Sequence, residues 1–135
     1  MDCLFCKIID NELPSYTVYE DDLFKAILDI FPATLGHIII IPKNHAANIY
    51  ELDEKSTTSL MKVAKKIAHA LKDSFNIDGL NLLQNNGEIA SQTVFHFHLH
   101  LIPRYKDDGV NVGWDIIKPE ENDFLKMLDK IKATF

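Results

Sequence analysis

Apolar residues arrive along this chain in two rhythms. Residues 17–20 and 23–28 are short β-prone pieces, parted by the acidic turn Asp21-Asp22. Gly36-His37 leads into Ile38-Ile39-Ile40-Ile41, and Pro42 closes the run. A β-branched stretch bounded by Gly and Pro predicts a buried strand. From Asp53, a residue suited to an N-cap, the rhythm changes. Leu60, Val63, Ala64, Ile67, Ala68, Leu71 and Phe75 recur at helical spacing, with Lys62, Lys65, Lys66, Lys72 and Asp73 between them. This predicts one long helix that covers a sheet face. Asn76 to Gly79 stops it. Leu80 to Leu83 predicts a further strand, followed by a turn at residues 84–88 and the loop Ile89-Ala90-Ser91-Gln92-Thr93. Beyond Tyr105 the pattern is less regular until Pro119-Glu120-Glu121 opens a short helix, with Phe124, Leu125, Leu128 and Ile131 on one side. Hairpin-length links with one long inserted helix predict an α+β fold with a mostly antiparallel sheet.

The last predicted strand carries chemistry. It reads His96-Phe97-His98-Leu99-His100-Leu101-Ile102, ends at Pro103, and holds half of the chain's six histidines. Strand residues at i, i+2 and i+4 share a face, so the three imidazoles line one side while Phe95, Phe97, Leu99 and Leu101 line the other. Same-face neighbours lie about 7 Å apart, so two such histidines can converge on one metal and all three cannot. The row is either a His-x-His metal site or a set with divided tasks: one ligand, one nucleophile or base, one group on the substrate. Incidental histidines on a half-exposed strand would rarely fall three in register, because each brings nitrogens that need partners.

Composition narrows the field. The chain has 135 residues, 47% hydrophobic and 25% charged, the make-up of one folded domain with a real core. Its net charge of −6 argues against a broad nucleic-acid surface, though not against a small phosphate ligand. No basic n-region or long apolar stretch opens the chain, and no run approaches the roughly 20 apolar residues of a membrane span. The expectation is a cytoplasmic protein without membrane or nucleic-acid partners.

Two further clusters stand out. Cys3-x-x-Cys6 has no strand before it, unlike a thioredoxin-like redox pair, and reads first as metal-binding. Two thiolates plus two of His37, His45, His69 and His96 would complete a zinc tetrahedron, His69 being an ordinary exposed residue among helix lysines on its surroundings. Asn85-Asn86-Gly87 and Ser91-Gln92-Thr93 offer amides, a hydroxyl and backbone N–H groups to an anion, without the Walker pattern of a P-loop.

The segment Gln92 to Ile102 resembles the signature of the histidine triad (HIT) family, His-φ-His-φ-His-φ-φ with φ apolar. Cys3-Leu4-Phe5-Cys6-Lys7-Ile8-Ile9, Val18-Tyr19-Glu20-Asp21-Asp22, Leu28-Asp29-Ile30, Gly36-His37 and Ile41-Pro42-Lys43-Asn44-His45 resemble its Hint-like branch, in order and at similar spacing. The resemblance is to a bacterial-type member with an N-terminal zinc site. It implies one HIT domain over residues 1–135, with a core at 3–105 and a C-terminal tail at 106–135. It implies a five-stranded, mostly antiparallel sheet with one long and one or more short helices, and a homodimer. It further implies hydrolysis at the α-phosphate of a purine nucleotide through a covalent nucleotidyl-histidine.

By matching position, His98 is the nucleophile, held through one ring nitrogen by a backbone carbonyl, that of His96. His100 contacts the phosphate or leaving group, with His37 nearby. Asp29 holds the ribose hydroxyls and Ile30 lies beside the base. Gln92 and Thr93 hold phosphate oxygens, and Asn85 and Ser91 line the same region. Cys3, Cys6, His45 and His96 correspond to the ligands of a structural zinc. Relatives commonly carry glycine where this chain has Ser91; if that backbone needs a positive φ, serine brings strain. The leading activity is that of a purine nucleoside phosphoramidase. The alternatives are a dinucleoside polyphosphate hydrolase and a non-catalytic nucleotide-binding scaffold.

Overall fold

In the computed structural model, which describes residues 2–135, five strands form one sheet. They are β1 (Thr17–Glu20), β2 (Phe24–Leu28), β3 (Ile38–Pro42), β4 (Gly79–Leu83) and β5 (Leu99–Arg104), in the order β1-β2-β3-β5-β4 with every pairing antiparallel. Three helices accompany them: α1 (Leu4–Ile9), α2 (Glu54–Ser74) and α3 (Glu121–Lys132). No helix among the described residues is long and apolar enough to cross a membrane. The α+β architecture and the five strands follow the sequence pattern. Asp53 is indeed the N-cap of α2, its carboxylate accepting from the Ser56 N–H.

The pleat divides the sheet between two layers. Phe24 and Ala26 of β2, Ile38 and Ile40 of β3, and Leu99 and Leu101 of β5 bury one face against Val63, Ala64, Ile67 and Leu71 of α2. Ile27, Ile39 and Ile41 bury the other face against Cys3, Phe5 and Ile8 around α1. With both faces covered, β2 and β3 lose the polar alternation of a half-exposed strand. His100 pairs with Ile39, which puts its side chain on the α1 face.

Three features depart from the sequence reading. The histidine strand starts at Leu99, so His96 and His98 lie in an irregular segment ahead of it. That segment is tied to the chain after β3: the Phe97 N–H donates to the Ala46 carbonyl at 2.7 Å. Phe95 is accordingly 53% exposed, outside the apolar face assigned to it, whereas Phe97 is buried. The Cys3-x-x-Cys6 segment is helical, which the sequence pattern did not predict. Cys3 is the N-cap of α1, and its thiol accepts from the Cys6 N–H at 3.5 Å. Finally, α3 forms at its predicted place with a Glu120–Asp123 capping box, yet none of its residues is buried.

Candidate active site and metal centre

A cluster that could hold a metal assembles where α1, the segment after β3 and the histidine segment meet. His96 is fully buried, and its Nε2–H donates to the Pro42 carbonyl at 2.8 Å. That bond fixes the tautomer and leaves Nδ1 as a bare lone pair, as a metal ligand requires. Nδ1 lies 3.4 Å from Cys3 Sγ, 3.6 Å from Cys6 Sγ and 3.0 Å from His45 Nδ1, while Cys6 Sγ lies 3.5 Å from His45 Nδ1. A zinc tetrahedron with ordinary Zn–S and Zn–N bonds has edges of about 3.3–3.8 Å. The four ligand atoms fit the ion in type and number, and the three sulfur–nitrogen separations match those edges while the His45–His96 pair stands closer, at 3.0 Å; His69 and His37 are not among the four. Burial and the neighbouring Cys3 thiol push the Cys6 thiol up to about 11. A bound cation reverses that by favouring the thiolate.

The second histidine turns the other way. His98 Nδ1–H donates to the His96 carbonyl at 2.7 Å, the bond expected from the resemblance. Its Nε2 is thereby the free lone pair, and His98 lines a cavity of about 590 Å³. Asp29, Ile30, Thr93 and His100 line the same cavity, together with the apolar Phe5, Ile8 and Ile27. Phe5 sits between the two cysteines and sets its ring edge-on to His98 at 5.0 Å and to His96 at 5.9 Å. Its position inside C-x-x-C was the signal that could have drawn attention to it.

His100 and His37 form a directed pair. The Ala33 N–H donates to His37 Nδ1 at 2.9 Å, so the neutral His37 carries its hydrogen on Nε2. That Nε2–H donates to His100 Nδ1 at 2.9 Å, which leaves the hydrogen of His100 on its own Nε2. The Asp29 carboxylate stands 3.5 Å from His37 Nε2 and 4.0 Å from His100 Nδ1. These three residues could be read as a second metal cluster. The hydrogen on His37 Nε2 opposes that, because the would-be ligand atom is already a donor. Burial holds His37, His96 and His98 below the ordinary imidazole range and brings His100 down to about 4. All four are neutral at pH 7 when no cation is bound.

The loop residues divide. Thr93 faces the cavity, but Asn85, Ser91 and Gln92 do not line it. Gln92 is buried, and its amide is committed within the protein: Oε1 accepts from the Gly87 N–H at 2.8 Å, and Nε2 donates to the carbonyls of Ala47 at 2.7 Å and Val94 at 3.1 Å. Direct contact of this side chain with phosphate would break those bonds, so its observed task is to brace the loop. Asn85 Nδ2 reaches the Ser91 carbonyl at 3.4 Å. Ser91 adopts φ 70°, the left-handed conformation that its departure from glycine raised as a cost.

Comparison with known proteins agrees with this geometry. Residues 10–107 match the model of the HIT domain. The chain is 48% identical over 124 residues to Protein hit of Bacillus subtilis, covering 88% of this chain and 86% of that one. It is 44% identical over 126 residues to adenosine 5'-monophosphoramidase HNT1 of Saccharomyces cerevisiae, covering 93% and 75%. A crystal structure of a HIT family member from Bacillus subtilis superposes with a TM-score of 0.95 at 40% identity, covering 100% of this chain and 98% of the other. A zinc-bound histidine triad family protein from Mycobacterium smegmatis superposes at 0.77 with 34% identity, covering 100% and 99%. The chain belongs to the HIT family.

Proposed function

We propose that this protein is a nucleoside phosphoramidase, which cleaves the P–N bond between a purine nucleoside monophosphate and an amine. The observation that carries the reading is the His98–His96 bond: a neutral imidazole, pinned at Nδ1, turns an unprotonated Nε2 toward a cavity of nucleotide size. Nε2 attacks the α-phosphorus, the P–N bond breaks, and the nitrogen, protonated from solvent, departs as the amine, while His100 Nε2–H donates a hydrogen bond to the reacting phosphoryl group. Water then attacks the phosphorus of the nucleotidyl-histidine and gives its proton to solvent, which releases the nucleoside monophosphate and restores His98. Splitting one displacement into two steps lowers the demand on each. Similarity to a yeast protein named as an adenosine 5'-monophosphoramidase supports the leaving group and the base.

The remaining roles follow from position. The Asp29 carboxylate holds the ribose hydroxyls, Ile30 and the Phe5–Ile8–Ile27 wall take the base, and Thr93 meets the phosphate. Asn85, Ser91 and Gln92 act on the phosphate indirectly, by shaping the loop. Cys3, Cys6, His45 and His96 would hold a zinc ion, which supplies structural cross-linking and, with four protein ligands, no open position for water. The working unit is a homodimer. Trp114, Ile116, Ile117, Phe124, Leu125, Leu128 and Ile131 of the C-terminal arm are all exposed, apolar surface suited to a second copy.

The test is a substrate panel. An adenosine phosphoramidate should turn over faster than a diadenosine polyphosphate, and His98→Ala should abolish turnover while AMP still binds. Full activity in that variant, or the reverse substrate order, would reject the assignment.

A further inference from the structure

One side chain on the α1 face of the sheet is out of keeping with its neighbours. Lys25 lies between Phe24 and Ala26 of β2 and shares its face with Ile27, yet it is only 3% exposed. A lysine this deep is rare unless its ammonium is paired. Here Nζ donates to the Ile8 carbonyl at 3.1 Å and to Asn11 Oδ1 at 3.0 Å, with Glu20 Oε1 at 3.9 Å. Ile8 is in the last turn of α1, and Asn11, at φ 60°, is in the turn that leaves it. A cation at that end takes the second lone pair of the Ile8 carbonyl, which already accepts from the Asn11 N–H, and complements the helix dipole.

We propose that Lys25 is a positioning residue for the nucleotide pocket, holding the C-terminal end of α1 so that Phe5 stays against His98. This rests on the function proposed above. α1 has six residues, too few to persist without outside anchors. It nonetheless supplies Leu4, Phe5 and Ile8 to the cavity, and the turn that follows supplies Leu13, Pro14 and Ser15. Its N-terminal end is tied to the histidine segment through Cys3 and Cys6, beside His96. The turn at Asn11 is tied to the helix end by backbone bonds, Asn11 N–H to the Ile8 carbonyl at 3.2 Å and Glu12 N–H to the Lys7 carbonyl at 2.8 Å, and Lys25 joins both to the sheet. The Lys25 ammonium reaches both the helix end and the turn, so one buried group sets both pieces of wall. An apolar residue at position 25 would fill the same space and address neither.

The experiment compares wild type with Lys25→Met, Lys25→Arg and Asn11→Gly, the last keeping the positive φ while removing the amide acceptor. Hydrogen exchange is followed at residues 4–15, AMP affinity by calorimetry, and KM and kcat on an adenosine phosphoramidate. In Lys25→Met, loss of two bonds to a charged donor should speed exchange in α1 roughly tenfold and weaken AMP binding by a similar factor. KM should rise more than kcat falls, exchange in α2 should not change, and Lys25→Arg should recover much of the loss. A lower melting temperature with unchanged α1 exchange and unchanged AMP affinity would overturn the proposal. Should Lys25→Met fail to fold, Asn11→Gly answers the same question with a smaller effect, and wild-type exchange and affinity in that variant would count against it. A wild type inert toward the phosphoramidate rejects the function reading instead, and α1 exchange then decides the role of Lys25 on its own.

Discussion

His37 gives its Nε2 hydrogen to His100 Nδ1 across 2.9 Å, and the Ala33 N–H dictates that direction from behind. A backbone amide, which cannot titrate away, thus fixes the tautomers of two histidines in series. The hydrogen that faces the cavity is the one on His100 Nε2. Replacing His37 by Phe removes the donor and lets His100 exchange tautomers. Turnover of an adenosine phosphoramidate should fall by about 100-fold, the usual scale for losing a positioned hydrogen-bond donor to the reacting group, with AMP affinity within a few-fold of wild type. Steady-state kinetics beside calorimetry would check this. Unchanged kcat would remove the pair from the reaction.

The same burial makes the fold sensitive to acid. His37, His98 and His100 have folded pKa values below the unfolded histidine value, so at lower pH the unfolded chain binds more protons. The sign is that of a depressed base: stability is complete above about pH 6.5 and is lost as pH falls toward the folded values. For His100, with a folded value of about 4, the full span is on the order of 3 kcal/mol. Melting temperature should fall steadily between pH 7 and pH 4.5, and less steeply in His100→Asn. A flat profile would contradict the neutral assignments.

How much of this was legible in the sequence depends on range. α2 could be read from its own residues because Asp53 caps it and its apolar stripe is local. The β3 run was likewise readable, since four isoleucines leave few alternatives. The α1 helix was not: its six residues make fewer than two turns, too few for a repeating apolar stripe, and its N-cap is a cysteine thiol, outside the usual capping set. The histidine segment was assigned to a strand because alternation fits equally well an irregular segment whose partners, Ala46 and Pro42, are distant in sequence. Position within the family pattern leads one to expect phosphate contact from Gln92. In the folded chain its amide is spent on Ala47, Gly87 and Val94, a commitment set by tertiary contact that no local pattern encodes.

Metal removal should expose the structural role of the cysteine cluster. Wild-type protein purified without chelator should carry close to one zinc per chain by elemental analysis, and Cys3→Ser far less, because the remaining set has three ligands. An ion that binds only the folded chain stabilises it by mass action, so chelator should lower the melting temperature by several degrees. AMP binding should weaken at the same time, since Cys3 and Cys6 flank the Phe5 that packs on His98. A chelated protein with unaltered melting and AMP affinity would show that the cluster does not need an ion.

Ser91 offers a stabilising change. Its φ of 70° crowds the side chain against its own backbone, a cost of about 1 kcal/mol for a residue with a Cβ. The serine side chain is exposed and its hydroxyl makes no hydrogen bond among the described residues; the backbone N–H donates to the Glu88 carbonyl at 2.9 Å and the carbonyl accepts from Asn85, bonds that glycine keeps. Ser91→Gly should therefore relieve the strain without breaking a contact. Part of the gain is returned because glycine loosens the unfolded chain, so the net should be about 0.5 kcal/mol in favour of the variant. The loop itself should not move: Gly87, Gln92 and Val94 remain joined through the Gln92 amide. Turnover should then equal that of wild type while denaturant midpoints rise slightly. A drop in stability would mean that serine's smaller unfolded-state entropy outweighs the strain, and a drop in turnover at unchanged stability would mean that the side chain itself serves the phosphate.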